Sequence, residues 1–301
     1  MSERLDVPVA GGTLAVFRFG AGGEPVLAVH GITANSHAWL AVARSLEGHA
    51  VLLAPDLRGR GASNRLPPPY GMEAYTRDML AVLDHAGIER GVLVGHSLGA
   101  YAVARFAADH PERVRAALLI DGGLARPLPG DIDPEQFLAA FLGPALARLE
   151  LTFPTPQSYH EWWRAPPALA DADVAPGDLI AYANHDLVGE AGNLRSGVAK
   201  EAVRADAGEL LEIGKPAHRL SVPVEMLRAP RGLQNDPTPM IPKELADAWA
   251  GAAPHDRRVR EVPHTNHYTI VMGASGAGVV AQAIVHALQS PAGNPGLRSS
   301  R

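Results

Sequence analysis

The pentapeptide Gly95-His96-Ser97-Leu98-Gly99 is the sharpest chemical signal in the sequence. It follows a short apolar run, Gly91-Val-Leu-Val94, and leads at once into an alanine-rich stretch that reads as a helix to about His110. A side chain presented on so tight a strand-to-helix turn needs small neighbours two positions either side, where bulk would strike the backbone. The turn lifts the Ser97 hydroxyl out of the sheet and places it at the positive end of a helix. A hydroxyl so placed is a candidate nucleophile for acyl transfer. His96 is adjacent on the same turn, which directs its ring away from Ser97. We read it as packing and count it with the side chains around the substrate.

Acyl transfer also creates an oxyanion, which needs two preorganised donors about 2.7–3.1 Å away. The backbone N–H of Leu98, next after the serine, is one candidate. The other comes from His30-Gly31-Ile32, at the end of a second apolar run, where Gly31 permits close backbone approach and Ile32 N–H is the donor. An ordinary strand-to-loop turn is the bland alternative for these three residues.

Short apolar runs and helical patterns alternate through the first half of the chain, the signature of βαβ units on a largely parallel sheet. Thr13–Phe19 alternates like a half-buried antiparallel strand, whereas Pro25–His30 and Ala50–Ala54 are near-continuous, as in strands covered on both faces. Tyr75, Met79, Leu83 and Ala86 recur at helical spacing until Gly87 stops them. Further strands are expected at Val114–Ile120, Pro223–Leu227 and Val259–Val262, and a closing helix at about Ala274–Leu288. Between these, residues 122–218 lack strand-like runs, are rich in proline and keep only helical patterns. They read as a mainly helical insertion over the sheet's carboxyl edge, where open α/β sheets bind ligands.

His30-Gly31, Pro55-Asp56-Leu-Arg-Gly-Arg-Gly-Ala-Ser63, the Gly95–Gly99 turn and Asn266-His267-Tyr268 together resemble, in order and spacing, the α/β-hydrolase fold family. The resemblance covers the chain apart from the inserted block. It implies a mostly parallel eight-stranded sheet flanked by helices, with core 1–121 and 219–301 and a helical cap at 122–218. Within that family the Asp56–Gly61 segment is the loop after the fourth strand, where Asp and Arg tie the loop together. The family's chain order of serine, acid and histidine makes His267 the base among thirteen histidines. His264 is the nearby alternative, while His110 and His218 read as surface or cap residues. The acid is ambiguous. No carboxylate stands at the family's usual position after the seventh strand, where the turn reads Ala229–Leu233. Asp236, a few residues on, either reaches the histidine or caps its own turn. Asp121, ending the sixth strand before Gly122-Gly123, occupies the place where some branches of the fold, certain haloalkane dehalogenases among them, carry the acid. We prefer Asp121. Dehalogenases and epoxide hydrolases carry Asp where Ser97 stands, so those reactions are not expected.

The resemblance implies a serine hydrolase acting on a small or medium carboxylic ester, thioester or lactone through an acyl-enzyme on Ser97. A carbon–carbon bond hydrolase or cofactor-free perhydrolase would use the same three residues, and a small-molecule receptor could keep them without catalysis. Trp39, Trp162 and Trp163 are expected around the substrate, with Phe137, Phe141 and Tyr182 as further aromatics of the insertion. Composition excludes other classes: charged residues are 20% of the chain, the formal net charge is −5 and there is no cysteine. Disulfides, thiolate metal sites and a basic nucleic-acid footprint are therefore ruled out. No phosphate loop or metal-ligand pair appears, so no cofactor and no metal are expected. Lacking a signal-like or spanning apolar run, the chain is expected in the cytoplasm, off the membrane, as monomer or homodimer.

Overall fold

In the computed structural model, which describes residues 2–124, 143, 145–170, 172–209, 212–253 and 255–290, one sheet carries the molecule. Its strands are β1 (Ser2–Val9), β2 (Gly12–Phe19), β3 (Glu24–Val29), β4 (Ala50–Pro55), β5 (Gly91–His96), β6 (Val114–Ile120), β9 (Val224–Arg228) and β10 (Arg257–Glu261). They lie in the order β1-β2-β4-β3-β5-β6-β9-β10. The first two strands run antiparallel to their neighbours and every other pairing is parallel.

The near-continuous apolar runs are explained by layers on both faces of this sheet. Along β3, Val26 and Ala28 turn towards α1 (Leu40–Leu46) and α9 (Ala274–Gln289), while Leu27 and Val29 turn towards α2 (Met72–His85) and α3 (Leu98–Asp109). Side chains alternate across a strand, so a strand covered twice must be apolar at every position. β1 escaped the sequence reading because it is an edge strand with only Val7 buried, and it carries almost no hydrophobic pattern.

Between β6 and β9 the described residues include α4 (Pro156–Arg164), α5 (Pro176–Asp186) and α6 (Lys200–Gly208). The expectation of a segment without strands is corrected: Leu187–Glu190 (β7) and Asn193–Ser196 (β8) form an antiparallel hairpin. These strands are four residues each and largely exposed, too short and too polar to register as apolar runs. Phe137 and Phe141 lie outside the described residues. Beyond β9 come α7 (Lys243–Gly251) and α8 (Thr269–Met272). No described helix is long and apolar enough to cross a membrane.

The loop after β4 is held by buried charges. Asp56 accepts from the backbone N–H groups of Ser36 and Ala62 and bonds the ring of His185 on α5. Arg58 forks onto Asp78. His30, fully buried at the end of β3, accepts the Leu57 N–H at Nε2 (3.0 Å) and donates from Nδ1 to Gly31 O (2.8 Å), which assigns a neutral ring with its proton on Nδ1. Burial lowers its pKa to about 4. Between pH 6.5 and about 4 the unfolded chain therefore takes up a proton that the folded chain refuses, so stability falls as pH falls through that window. The loss is on the order of 3 kcal/mol. Urea-unfolding free energies of wild type and His30→Gln, followed from pH 7.5 to 4.5, should show a flatter dependence in the variant; identical slopes would contradict the assignment.

Candidate active site

Ser97 sits where β5 turns into α3, in the strained left-handed region with φ 54°. Its N–H donates to Ile120 O on β6 at 2.9 Å, so the adjoining strand holds the turn. The small neighbours are a steric necessity: a Cβ at Gly95 would lie 2.1 Å from Gly99 O, and one at Gly99 only 2.0 Å from Val29 O. Gly99→Ala must therefore push β3 or α3 aside. A loss of about 1–3 kcal/mol in urea-unfolding stability is expected.

The end of β3 lies against this turn. A Cβ on Gly31 would stand 3.2 Å from Ser97 Cβ and 3.6 Å from Ser97 Oγ. Among the described residues no protein acceptor takes the N–H of Ile32 or of Leu98. Leu98 is the first residue of α3, and its N–H is one of the four a helix leaves unsatisfied.

His267 precedes α8 and is buried, its Nδ1 2.7 Å from Asp121 Oδ2. The other carboxylate oxygen of Asp121 accepts the Ala229 N–H at 3.0 Å, and the Asp121 N–H donates to Leu227 O at 2.7 Å. The parallel pairing of β6 with β9 thus fixes this carboxylate beneath the histidine loop. Asp236 is not bonded to His267. Its oxygens accept the N–H groups of Gln234 and Thr238, two positions either side, so it caps its own turn. His264 is exposed, in a left-handed conformation.

Asn266, to which the sequence assigns no role of its own, organises the histidine loop. Its Oδ1 accepts the N–H groups of Tyr268 and Thr269 at the start of α8, and its Nδ2 donates to Ala168 O at 2.9 Å. The available signal was an Asn immediately ahead of a short helical stretch, a capping position. His96 bonds the same loop, its Nε2 2.8 Å from His267 O. Burial, followed by the neighbouring His267, pushes the His96 pKa well below the ordinary histidine value. The ring is then neutral and donates from Nε2, leaving Nδ1 without a partner.

Ser97, His96 and His267 line one cavity, whose remaining wall includes Ala38, Leu233, Val271, Met272, Tyr182 and Tyr268. Trp39, Trp162 and Trp163, expected around the substrate, are not among the residues that line this cavity. Trp39 is fully buried in the core between the sheet and α1, because it closes the inward side of the short turn Ser36–Trp39. Trp163 is also buried, edge-on behind Tyr182 (ring centroids 5.1 Å apart) and Tyr268 (6.4 Å), and Trp162 packs behind it at 5.2 Å. The two α4 tryptophans support the wall rather than form it. Tyr182, by contrast, reaches the cavity.

Residues 24–156 match the family model for the alpha/beta hydrolase fold. An uncharacterised protein of Mycobacterium tuberculosis (strain ATCC 25618 / H37Rv) is 39% identical over 110 residues, 36% of this chain and 31% of that protein. Lipase LipV of the same organism is 32% identical over 177 residues, 57% of this chain and 64% of the lipase. The matched region spans about a third of the length of the first of these relatives. Among solved structures, E-2-(acetamidomethylene)succinate hydrolase superposes with a TM-score of 0.76 at 21% identity, covering 96% of this chain and 100% of that one.

Proposed function

The chain is an α/β-hydrolase-fold protein, and on that scaffold we propose that it is a serine hydrolase with Ser97 as nucleophile, His267 as base and Asp121 as the acid that orients it. One observation carries the reading: a buried carboxylate–imidazole pair, 2.7 Å apart, opens into the cavity that a serine on a strained strand-to-helix turn also lines. Asp121 accepts a hydrogen bond from Nδ1–H and so keeps the proton on that nitrogen, leaving Nε2 bare as the proton acceptor. His267 removes the Ser97 proton as Oγ attacks an acyl carbonyl. The oxygen, now negative, is received by Leu98 and Ile32 N–H, and His267 returns the proton to the leaving group. A water deprotonated by His267 then cleaves the acyl-enzyme and releases the acid.

The wall supports a substrate with a small or medium apolar acyl group. Ala38, Leu233, Val271 and Met272 offer nothing to a charge, and Thr33, Tyr182 and Tyr268 are polar residues of the same lining. A carboxylic ester, thioester or lactone meets that description. Labelling with a fluorophosphonate probe is the direct test: the wild type should react and Ser97→Ala should not. Equal labelling of both proteins, or of neither, would end the serine-hydrolase reading.

A further inference from the structure

Three successive carbonyls of the loop that carries Ile32 are each held by a buried side chain. Gly31 O accepts from His30 Nδ1 at 2.8 Å, Ile32 O accepts from Arg60 Nε at 2.9 Å, and Thr33 O accepts from Arg148 Nη2 at 2.8 Å. A peptide unit is planar and trans, so its N–H points opposite to its C=O. Fixing Gly31 O therefore fixes the direction of Ile32 N–H, and fixing the next two carbonyls prevents the following units from rotating it away. His30 and Arg60 belong to the sheet and its loops. Arg148 does not, for it lies in the segment between β6 and β9.

We propose that Arg148 is a positioning residue for the reaction, the means by which the segment inserted after β6 holds the oxyanion donor Ile32 N–H on target. This rests on the serine-hydrolase reading above. Arg148 is fully buried and built to stay in place. Its Nη1 bonds Asp186, the Tyr159 hydroxyl and, at 2.9 Å, Ser196 Oγ, while the guanidinium lies 4.9 Å from the centroid of the Trp163 ring. A guanidinium can serve Asp186 with one nitrogen and Thr33 O with the other, which a single ammonium cannot. Arg60 is anchored in the same way, by Asp206 on α6 and the Tyr75 hydroxyl. Both cations that grip this loop are thus tied to carboxylates on the inserted segment. Asn35 adds a further tie, its Nδ2 donating to Tyr182 O at 3.0 Å. Docking of that segment and formation of the oxyanion site become one event.

The obvious variant, Arg148→Met, leaves Asp186 buried without its cation and can fail to fold. Arg148→Lys keeps a charge opposite Asp186 while giving up Thr33 O, and it decides the matter. With p-nitrophenyl butyrate, Arg148→Lys should lower kcat by on the order of 100-fold, the scale of one misplaced oxyanion donor, and change KM by less than about threefold. Inhibition by an alkyl trifluoromethyl ketone, which forms the anionic adduct on Ser97, should weaken by the same factor as kcat/KM. Inhibition by butyrate should stay unchanged. A role in stability alone would lower the melting temperature and leave the ratio of the two inhibition constants at its wild-type value, and that result overturns the proposal. So does a kcat equal to wild type in folded Arg148→Lys. Failure of the underlying reading is seen separately, as absence of fluorophosphonate labelling in the wild type.

Discussion

Ser97→Ala should reduce kcat on a p-nitrophenyl ester by about a million-fold, His267→Ala should match it, and the double variant should be no slower than either. The reason for the non-additivity is mechanical. The hydroxyl at 97 is a nucleophile only while its proton has somewhere to go, and the imidazole at 267 is useful only while there is a proton to take. Removing either member removes the whole step. A folded protein with additive losses would mean that the two side chains act in separate events. Far-UV circular dichroism should be unchanged in the serine variant, because a hydroxyl replaced by hydrogen at the cavity wall neither opens a void in the core nor alters the left-handed turn.

The second large effect separates two aspartates. Asp121→Asn should lower kcat by about 10,000-fold, because an amide in that place donates to Nδ1 and selects the wrong imidazole tautomer. Asp236→Asn should stay within about tenfold of wild type, since its oxygens serve only the N–H groups of its own turn. Asn keeps one acceptor oxygen, so both proteins should fold. The loss at Asp121 should lessen as pH rises and hydroxide competes with the crippled base. If only Asp236→Asn is inactive, the carboxylate bonded to His267 is not the one that serves catalysis.

The cavity wall carries a lesser consequence. Tyr182 and Tyr268 share the cavity lining with Thr33, His96, Ser97 and His267, and burial raises the pKa of both above the ordinary phenol value. Both hydroxyls therefore remain protonated across any working pH and are available as donors.

Much of this site could be read from residue order alone. Gly95 is dictated by the backbone of Gly99 four residues on, and a local steric rule shows itself in local spacing, whereas Gly99 answers to Val29 O on the neighbouring strand β3. The doubly covered strands were legible for a similar reason, since burial on both faces forces a continuous apolar run. β1 was not, because one buried residue in eight leaves no pattern, nor was the β7–β8 hairpin, whose stability comes from pairing and from the bridge of Phe153 to Leu194 rather than from its own hydrophobicity.

What required three dimensions was every choice between equals. Asp121 and Asp236 are the same residue type and both lie between Ser97 and His267 in the chain, and only the register of β6 on β9 puts one of them under His267 while the other turns back on its own loop. The tryptophans are large and apolar wherever they stand; whether such a ring lines a cavity or fills the layer behind it depends on which way its backbone faces, a property no composition records. Arg60 and Arg148 are far apart in the chain and carry no motif that links them, yet folding brings both onto consecutive carbonyls of one loop. The sequence alone settled which hydroxyl stands on the turn and which scaffold carries it, because those follow from neighbours along the chain. Partnership between distant side chains was decided by the packing of the sheet and of the segment laid against it.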